Sequence, residues 1–391
     1  MRRAHFALLS GAIAFMVSRA AADDFGSQIE AQVAAAKKLG ADAAKEKAAA
    51  AATNFDVDLS GQFPPDAKSL NQLQVGSCHD FASTALLEAA YFRRYGTHRT
   101  VSKADLYIQS TLLGDDYAIN RKIYFDDFDK AAHPLYAEYL TGAPATSKPD
   151  SLMSEGESMV KDFEYLKAHG AAAEDTVPYE AFYAAYSGVI RPSLQKVMAE
   201  VDEQNDANDA RNGVSRDQKY LINGKTMDSR QLGREVAVQT RLGEANRALV
   251  NRFYDTLDRP KIERERADLR EKSKDFRVGL NWDVGAGYRI VPDGSACETA
   301  GIPQKQMVWK ELFAGRPVMI AVDIAGMKGW GYENAARPSW HAIDVVGFSF
   351  INGWGAFRTI NSWGEGRNIP IYSYQFCRVG AIASVLTGSE N

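Results

Sequence analysis

The strongest constraint on the fold lies near the C-terminus. Val318–Val322, Ala342–Val346 and Phe357–Ile360 are short runs rich in β-branched and apolar residues, set apart by glycine-containing segments without long helical patterns between them. Strands connected in this way pair antiparallel, because parallel neighbours normally need a helical crossover. Residues 276–391 are therefore expected to form an antiparallel sheet or barrel.

The preceding residues keep a helical period. Cys78 to Arg94 carries Phe81, Ala82, Ala85, Leu86, Ala89, Ala90 and Phe92 on one broad face and is followed by Gly96; Ser158 to His169 carries Met159, Phe163 and Leu166 and is followed by Gly170. Residues 54–186 thus read as a mainly helical lobe. Residues 187–275 are richer in charge, with a series Leu232, Val236, Leu242, Leu249, Phe253, Leu257 that stops at Asp258-Arg259-Pro260. This segment reads as a charged helical insertion, either an arm packed on the body or a lid or partner-binding arm beside a cleft.

The N-terminus reads as an address. Arg2 and Arg3 precede a 12-residue, almost unbroken apolar run from Phe6 to Val17, and Ala20-Ala21-Ala22 offers small residues for cleavage. The run is too short to span a bilayer, which takes about 20 residues. Residues 1–22 are expected to be a signal peptide, and 23–53, rich in Ala and Lys, a helical spacer or short pro-region. Losing 1–22, with three basic and no acidic side chains, takes the net charge from −4 to −7. An acidic exported chain has no generic attraction for nucleic acid or, once cleaved, for anionic membranes. Its destination would be periplasmic or extracellular, where disulfides persist.

Chemistry centres on Cys78. A thiol opening a helix feels the positive end of the helix dipole, which favours the thiolate. A structural cysteine fits the same place. A thiol nucleophile also needs a proton carrier. Among His5, His79, His98, His133, His169 and His341, the last opens a strand and lies close to a second β run ending in Asn361-Ser362-Trp363-Gly364. An amide oxygen from Asn361 would orient the imidazole. The scattered cysteines and histidines suggest neither a metal site nor any other cofactor.

Taken together these segments resemble the papain-like cysteine peptidases. Gln72 lies six residues before Cys78; Gly76-Ser77-Cys78 and Phe81 match the surroundings of the family's nucleophile; His341-Ala342 with Gly347 matches its histidine motif; and Asn361-Ser362-Trp363-Gly364 matches its asparagine motif. Weaker echoes are Gly170 with Val177-Pro178-Tyr179-Glu180, and Gly315-Arg316-Pro317-Val318. The resemblance spans about 57–390 outside the insertion and looks like a bacterial-type secreted member. It implies an α+β, two-lobed fold, a helical lobe facing an antiparallel β-barrel lobe across the active-site cleft. It further implies Cys78 as nucleophile, His341 as acid–base, Asn361 as its orienter, Gln72 in the oxyanion hole and Trp363 as a shield. Gly156, Trp340 and Ala321 would line the cleft for a protein or peptide substrate. With Cys78 free, Cys297 and Cys377 remain as an even pair, expected to form a disulfide.

The departures are specific. The family's histidine follows its cysteine by about 130–150 residues, whereas His341 lies 263 after Cys78. Insertions in loops accommodate the excess at little cost. His79-Asp80 replaces the usual Trp-Ala, and Asp80 is expected to oppose the Cys78 thiolate. Val75 and Ser154 stand at a usual disulfide pair, and Glu155-Gly156-Glu157 half matches a Gly-Gly segment. Two other functions use the same residues: a catalytically silent binding module, or an acyl transferase or ligase.

Overall fold

In a computed structural model of the chain, the structure describes residues 56–67, 70–113, 159–215, 219–222, 225–232, 243–283, 295–327, 330–332, 339–351, 354–388 and 390. The expected signal and spacer (1–53) and Gly156 lie outside these residues.

The short strand β1 (Val57–Asp58) precedes helix α1 (Cys78–Tyr95), which ends at Gly96 in the left-handed conformation, φ 70°, its N–H donating to the Phe92 carbonyl. Next come α2 (Lys103–Tyr107), continued by a π turn over Ile108–Leu113, then α3 (Met159–His169) and α4 (Tyr179–Ala185). The chain continues through α5 (Arg191–Arg211), the hairpin β2 (Lys219–Ile222) and β3 (Lys225–Asp228), α6 (Gly243–Tyr254) and α7 (Arg259–Ser273). The last part holds β4 (Arg277–Asp283), α8 (Ser295–Ala300), α9 (Ile302–Phe313), β5 (Val318–Asp323), β6 (Trp340–Ile351), β7 (Trp354–Ile360), β8 (Ile371–Tyr372) and β9 (Val379–Leu386).

The expected α+β architecture is present. Every paired strand of the main sheet is antiparallel, in the order β4-β9-β5-β6-β7-β8, with β1 added alongside β6. Register shifts at Val278/Asn281, Ala321/Val322 and Val345/Gly347 bend the strands toward a barrel-like curl. Both faces are covered, which is why β5 and β6 read as continuous apolar runs rather than alternating ones. Ile320, Val322, Ile343 and Val345 pack with Trp309 and Leu312 of α9 on one side. On the other, Met319, Ala342 and Ala383 pack with Leu86 and Ala90 of α1 and Phe163 of α3. Gly347 has to be glycine, since a Cβ there would sit 2.2 Å from the Val57 carbonyl oxygen and push β1 away.

The segment 187–275 departs from a purely helical excursion in two ways. It contains the β2–β3 hairpin, paired from Lys219↔Asp228 to Ile222↔Lys225, whose sequence signal is the Asn223-Gly224 dipeptide between the strands. Pro260 also does more than stop a helix: Asp258 caps α7 by accepting from the Lys261 N–H, and Pro260 sits in the first turn, where its missing donor costs nothing. The described apolar residues of this segment, which leave out Val236 and Leu242, do not form a core of their own. Met198, Val201, Val250, Phe253, Tyr254 and Ile262 join one cluster with Phe81, Tyr107 and Phe182.

Cys297 and Cys377 form a disulfide that ties α8 to the turn before β9, across a sequence separation of 80. Replacing both by serine is expected to lower stability by about 4 kcal/mol in the chain-entropy view. Urea unfolding of the oxidised protein against the double variant checks this. Among the described residues no helix is long and apolar enough to cross a membrane.

Candidate active site

Cys78 is the first residue of α1, partly buried, and the one free cysteine. Burial of the sulfur pushes its pKa up, but a hydrogen bond to His341, the His341 charge, the His79 charge and the Ala342 backbone together outweigh this and lower it to about 7. At neutral pH a substantial share of the thiol is therefore ionised.

His341 is buried near the start of β6, and its Nε2 lies 2.7 Å from Asn361 Oδ1. The Asn361 amide is fixed the right way round because its Nδ2 donates to the Arg367 carbonyl at 3.0 Å. An amide oxygen only accepts, so Nε2 carries hydrogen and Nδ1 is left for the sulfur. Trp363 stacks on the His341 ring at 4.3 Å between centroids, and Trp330 and Tyr332 pack against Trp363 in turn. This aromatic layer covers one side of the imidazole.

Gln72 sits where the helical part meets the sheet. Its backbone N–H donates to the Ser362 carbonyl at 2.7 Å, its Oε1 accepts from the Ser362 hydroxyl, and its Nε2 donates to the Val75 carbonyl at 2.8 Å. One N–H of the amide is thus spent and a second remains. Two further anchors join the same segments: an isolated bridge pairs Asn71 with Trp363, and Gly364 N–H donates to the Leu70 carbonyl. Leu73, next to Gln72, holds a left-handed backbone at φ 55°, a conformation that costs a side-chain-bearing residue about 1–3 kcal/mol. Its N–H is bound by Asn71 Oδ1.

The structure thus brings Cys78, His341, Asn361, Gln72 and Trp363 together. Ala321 packs in the cluster that also includes Cys78. Trp340 is placed differently: it precedes His341 on β6, so it leaves the opposite face of the strand, is 45% exposed, and lies against Gly380.

Two features escaped sequence reasoning. Tyr179 donates to the Gln72 carbonyl and shares a 2.9 Å hydrogen bond with Ser77 Oγ, pinning both ends of the 72–77 loop. Its signal was present as Val177-Pro178-Tyr179, without a role. Asp162 of α3 had no signal, because 83 residues separate it from its partner His79. Their contact, with Asp80 beside them, places three ligand-type atoms within 4.8 Å of one another, all buried. His79 Nδ1 is engaged by Asp162 Oδ2 at 2.6 Å, which makes this a closed acid–imidazole cluster rather than an open ligand set. Asp80 also differs from expectation. Burial first, and then the Asp162 and Cys78 charges, push its pKa well up against the pull of His79, which weakens the opposition to the thiolate expected of it.

No family model matches the sequence, and no curated protein matches it. Among solved structures the chain is similar to digestive procathepsin L 3 of the Tenebrio molitor larval midgut, at 13% identity over 84% of this chain and 69% of that one, with a TM-score of 0.36. It is similar to a recombinant stem bromelain precursor at 13% identity, 85% and 70% coverage, and a TM-score of 0.36. It is also similar to the bromelain protease from Ananas comosus in complex with the E64 inhibitor, at 12% identity, 85% and 99% coverage, and a TM-score of 0.36.

Proposed function

We propose that this chain is an exported papain-like cysteine endopeptidase, working in a periplasm or outside the cell, with a helical lobe carrying Cys78 and a β lobe carrying His341 and Asn361. One observation carries the reading: a thiol at a helix N-terminus has its pKa lowered by the His341 imidazole, that imidazole is held by the Asn361 amide at 2.7 Å, and the Gln72 amide lies in the loop leading into the thiol's helix.

The Cys78 thiolate attacks the carbonyl carbon of a peptide bond. Charge developing on the carbonyl oxygen is met by the remaining Gln72 N–H and the Cys78 backbone N–H, and one such donor is worth about 3–4 kcal/mol in a comparable site. His341 passes its Nδ1 proton to the leaving amine as the tetrahedral species collapses to a thioester. The ring then takes a proton from the incoming water, and the thiolate leaves as the second product is released. Asn361 keeps the ring in the one orientation that serves both transfers.

Labelling with an epoxysuccinyl thiol-protease inhibitor tests the reading. We expect one adduct on Cys78, none on Cys78→Ala, and cleavage of a peptide library by the wild type alone. No adduct under reducing conditions favours a silent binding module, and products joined to an added amine favour an acyl transferase.

A further inference from the structure

The residue after Cys78 is a titratable group with almost no access to water. His79 is 2% exposed and Asp80 and Asp162 are both fully buried. His79 Nδ1 is 2.6 Å from Asp162 Oδ2 and 3.5 Å from Asp80 Oδ2, and Asp80 Oδ1 accepts from the Ser110 hydroxyl at 3.3 Å. Two carboxylates without a cation cannot be accommodated in such a place, because a buried charge is tolerated only when paired. The geometry points to an imidazolium on His79 paired most closely with the Asp162 carboxylate, with Asp80 beside them held by Ser110.

Given Cys78 as nucleophile, which rests on the function proposed above, we propose that His79, held as an imidazolium by Asp162, is a second positioning cation for the thiolate. The His79 charge favours the Cys78 thiolate alongside that of His341, so the free enzyme keeps part of the thiolate's stabilisation when His341 is neutral.

The directions of titration agree with this geometry. Burial pulls the His79 pKa down, but the Asp80 and Asp162 charges and the Asp162 hydrogen bond overcome it and raise it to about 10. The charge of His79 in turn lowers the pKa of Cys78. The titratable groups acting on this pair are Asp80 on α1, Asp162 from α3 and His341 from β6. The next charged group along α1, Glu88 with its partner Lys103, lies about three turns away.

The experiment follows Cys78 directly through the pH dependence of its alkylation by iodoacetamide, in the full chain. Wild type is expected to show a midpoint near 7. His79→Gln and Asp162→Asn are expected to move the midpoint up by about half to one pH unit, and to slow alkylation at pH 7 roughly two- to fivefold. Asp162→Glu, which keeps the charge, should restore most of it. In peptide hydrolysis the same variants should shift the acid limb of kcat/KM without raising KM. Should the variants fail to fold, histidine NMR on the wild type decides: His79 is expected to stay an imidazolium from pH 6 to about 10. A His79 that titrates below pH 7, or midpoints unmoved in both neutral variants, overturns the proposal. Shifted midpoints without peptide cleavage would support it and sink only the peptidase reading; cleavage with unmoved midpoints would do the reverse.

Discussion

Replacing His341 by alanine is expected to lower kcat for peptide hydrolysis by about 10⁴-fold or more, with KM almost unchanged. Two losses combine. The proton carrier for both transfers disappears, and so do the largest influences that hold the Cys78 thiol down, the His341 hydrogen bond and charge. Burial of the sulfur then acts with less opposition, and the thiol moves upward from about 7. Alkylation rates across pH read that movement independently of turnover. Asn361→Ala leaves the ring in place without its 2.7 Å anchor and is expected to cost less. A loss of under tenfold in His341→Ala would remove this residue from the chemistry.

The second large effect lies outside the cleft. Asp105, fully buried at the start of the π-extended helix α2, receives Arg266 Nε at 3.0 Å and Nη2 at 2.5 Å, the Tyr254 hydroxyl at 2.6 Å and the Ala172 N–H at 2.8 Å. Arg266 belongs to α7 and Tyr254 to α6, so the two charged helices of the segment 187–275 are locked into the core that also supports Phe81, one turn after the nucleophile. At Gly170, which ends α3 at φ 74°, a Cβ would lie 2.0 Å from the Arg266 carbonyl oxygen, so the two backbones meet directly. Arg266→Met is expected to destabilise the protein by about 3–5 kcal/mol, because it strands a buried carboxylate. Asp105→Asn combined with Arg266→Met should recover part of that loss. Arg266→Lys should recover little, since an ammonium cannot form the fork. Urea unfolding measures all three, and a change below 1 kcal/mol for Arg266→Met would return the segment to a detachable lid.

Much of this was legible in the residues. The periodicities gave α1, α3 and β5 to within a residue at each end, because each buries a continuous apolar surface and ends at a glycine or a turn, but caught only the middle of β6 and the second half of β7. The hairpin β2–β3 was masked by the charged helical pattern around it, although Asn223-Gly224 marked it. Asp80 was expected to oppose the Cys78 thiolate from the first turn of α1, and its burial beside Asp162 of α3, which pushes its pKa up, was not legible because α3 is distant in the chain. Trp340 leaves its strand on the face opposite His341, since alternation along a strand sends adjacent side chains to opposite faces.

The sequence by itself determined the α+β order of elements and the candidates Cys78, His341, Asn361 and Gln72. Helix and strand periods are local, and each of these residues lies in a local pattern that names it. Only the tertiary structure decided how the candidates are charged. The pKa of Cys78 depends on His341, more than 250 residues away, and the state of His79 on Asp162. Electrostatic energies depend on distance in space and on exclusion of water, and neither is written in the spacing of residues along a chain.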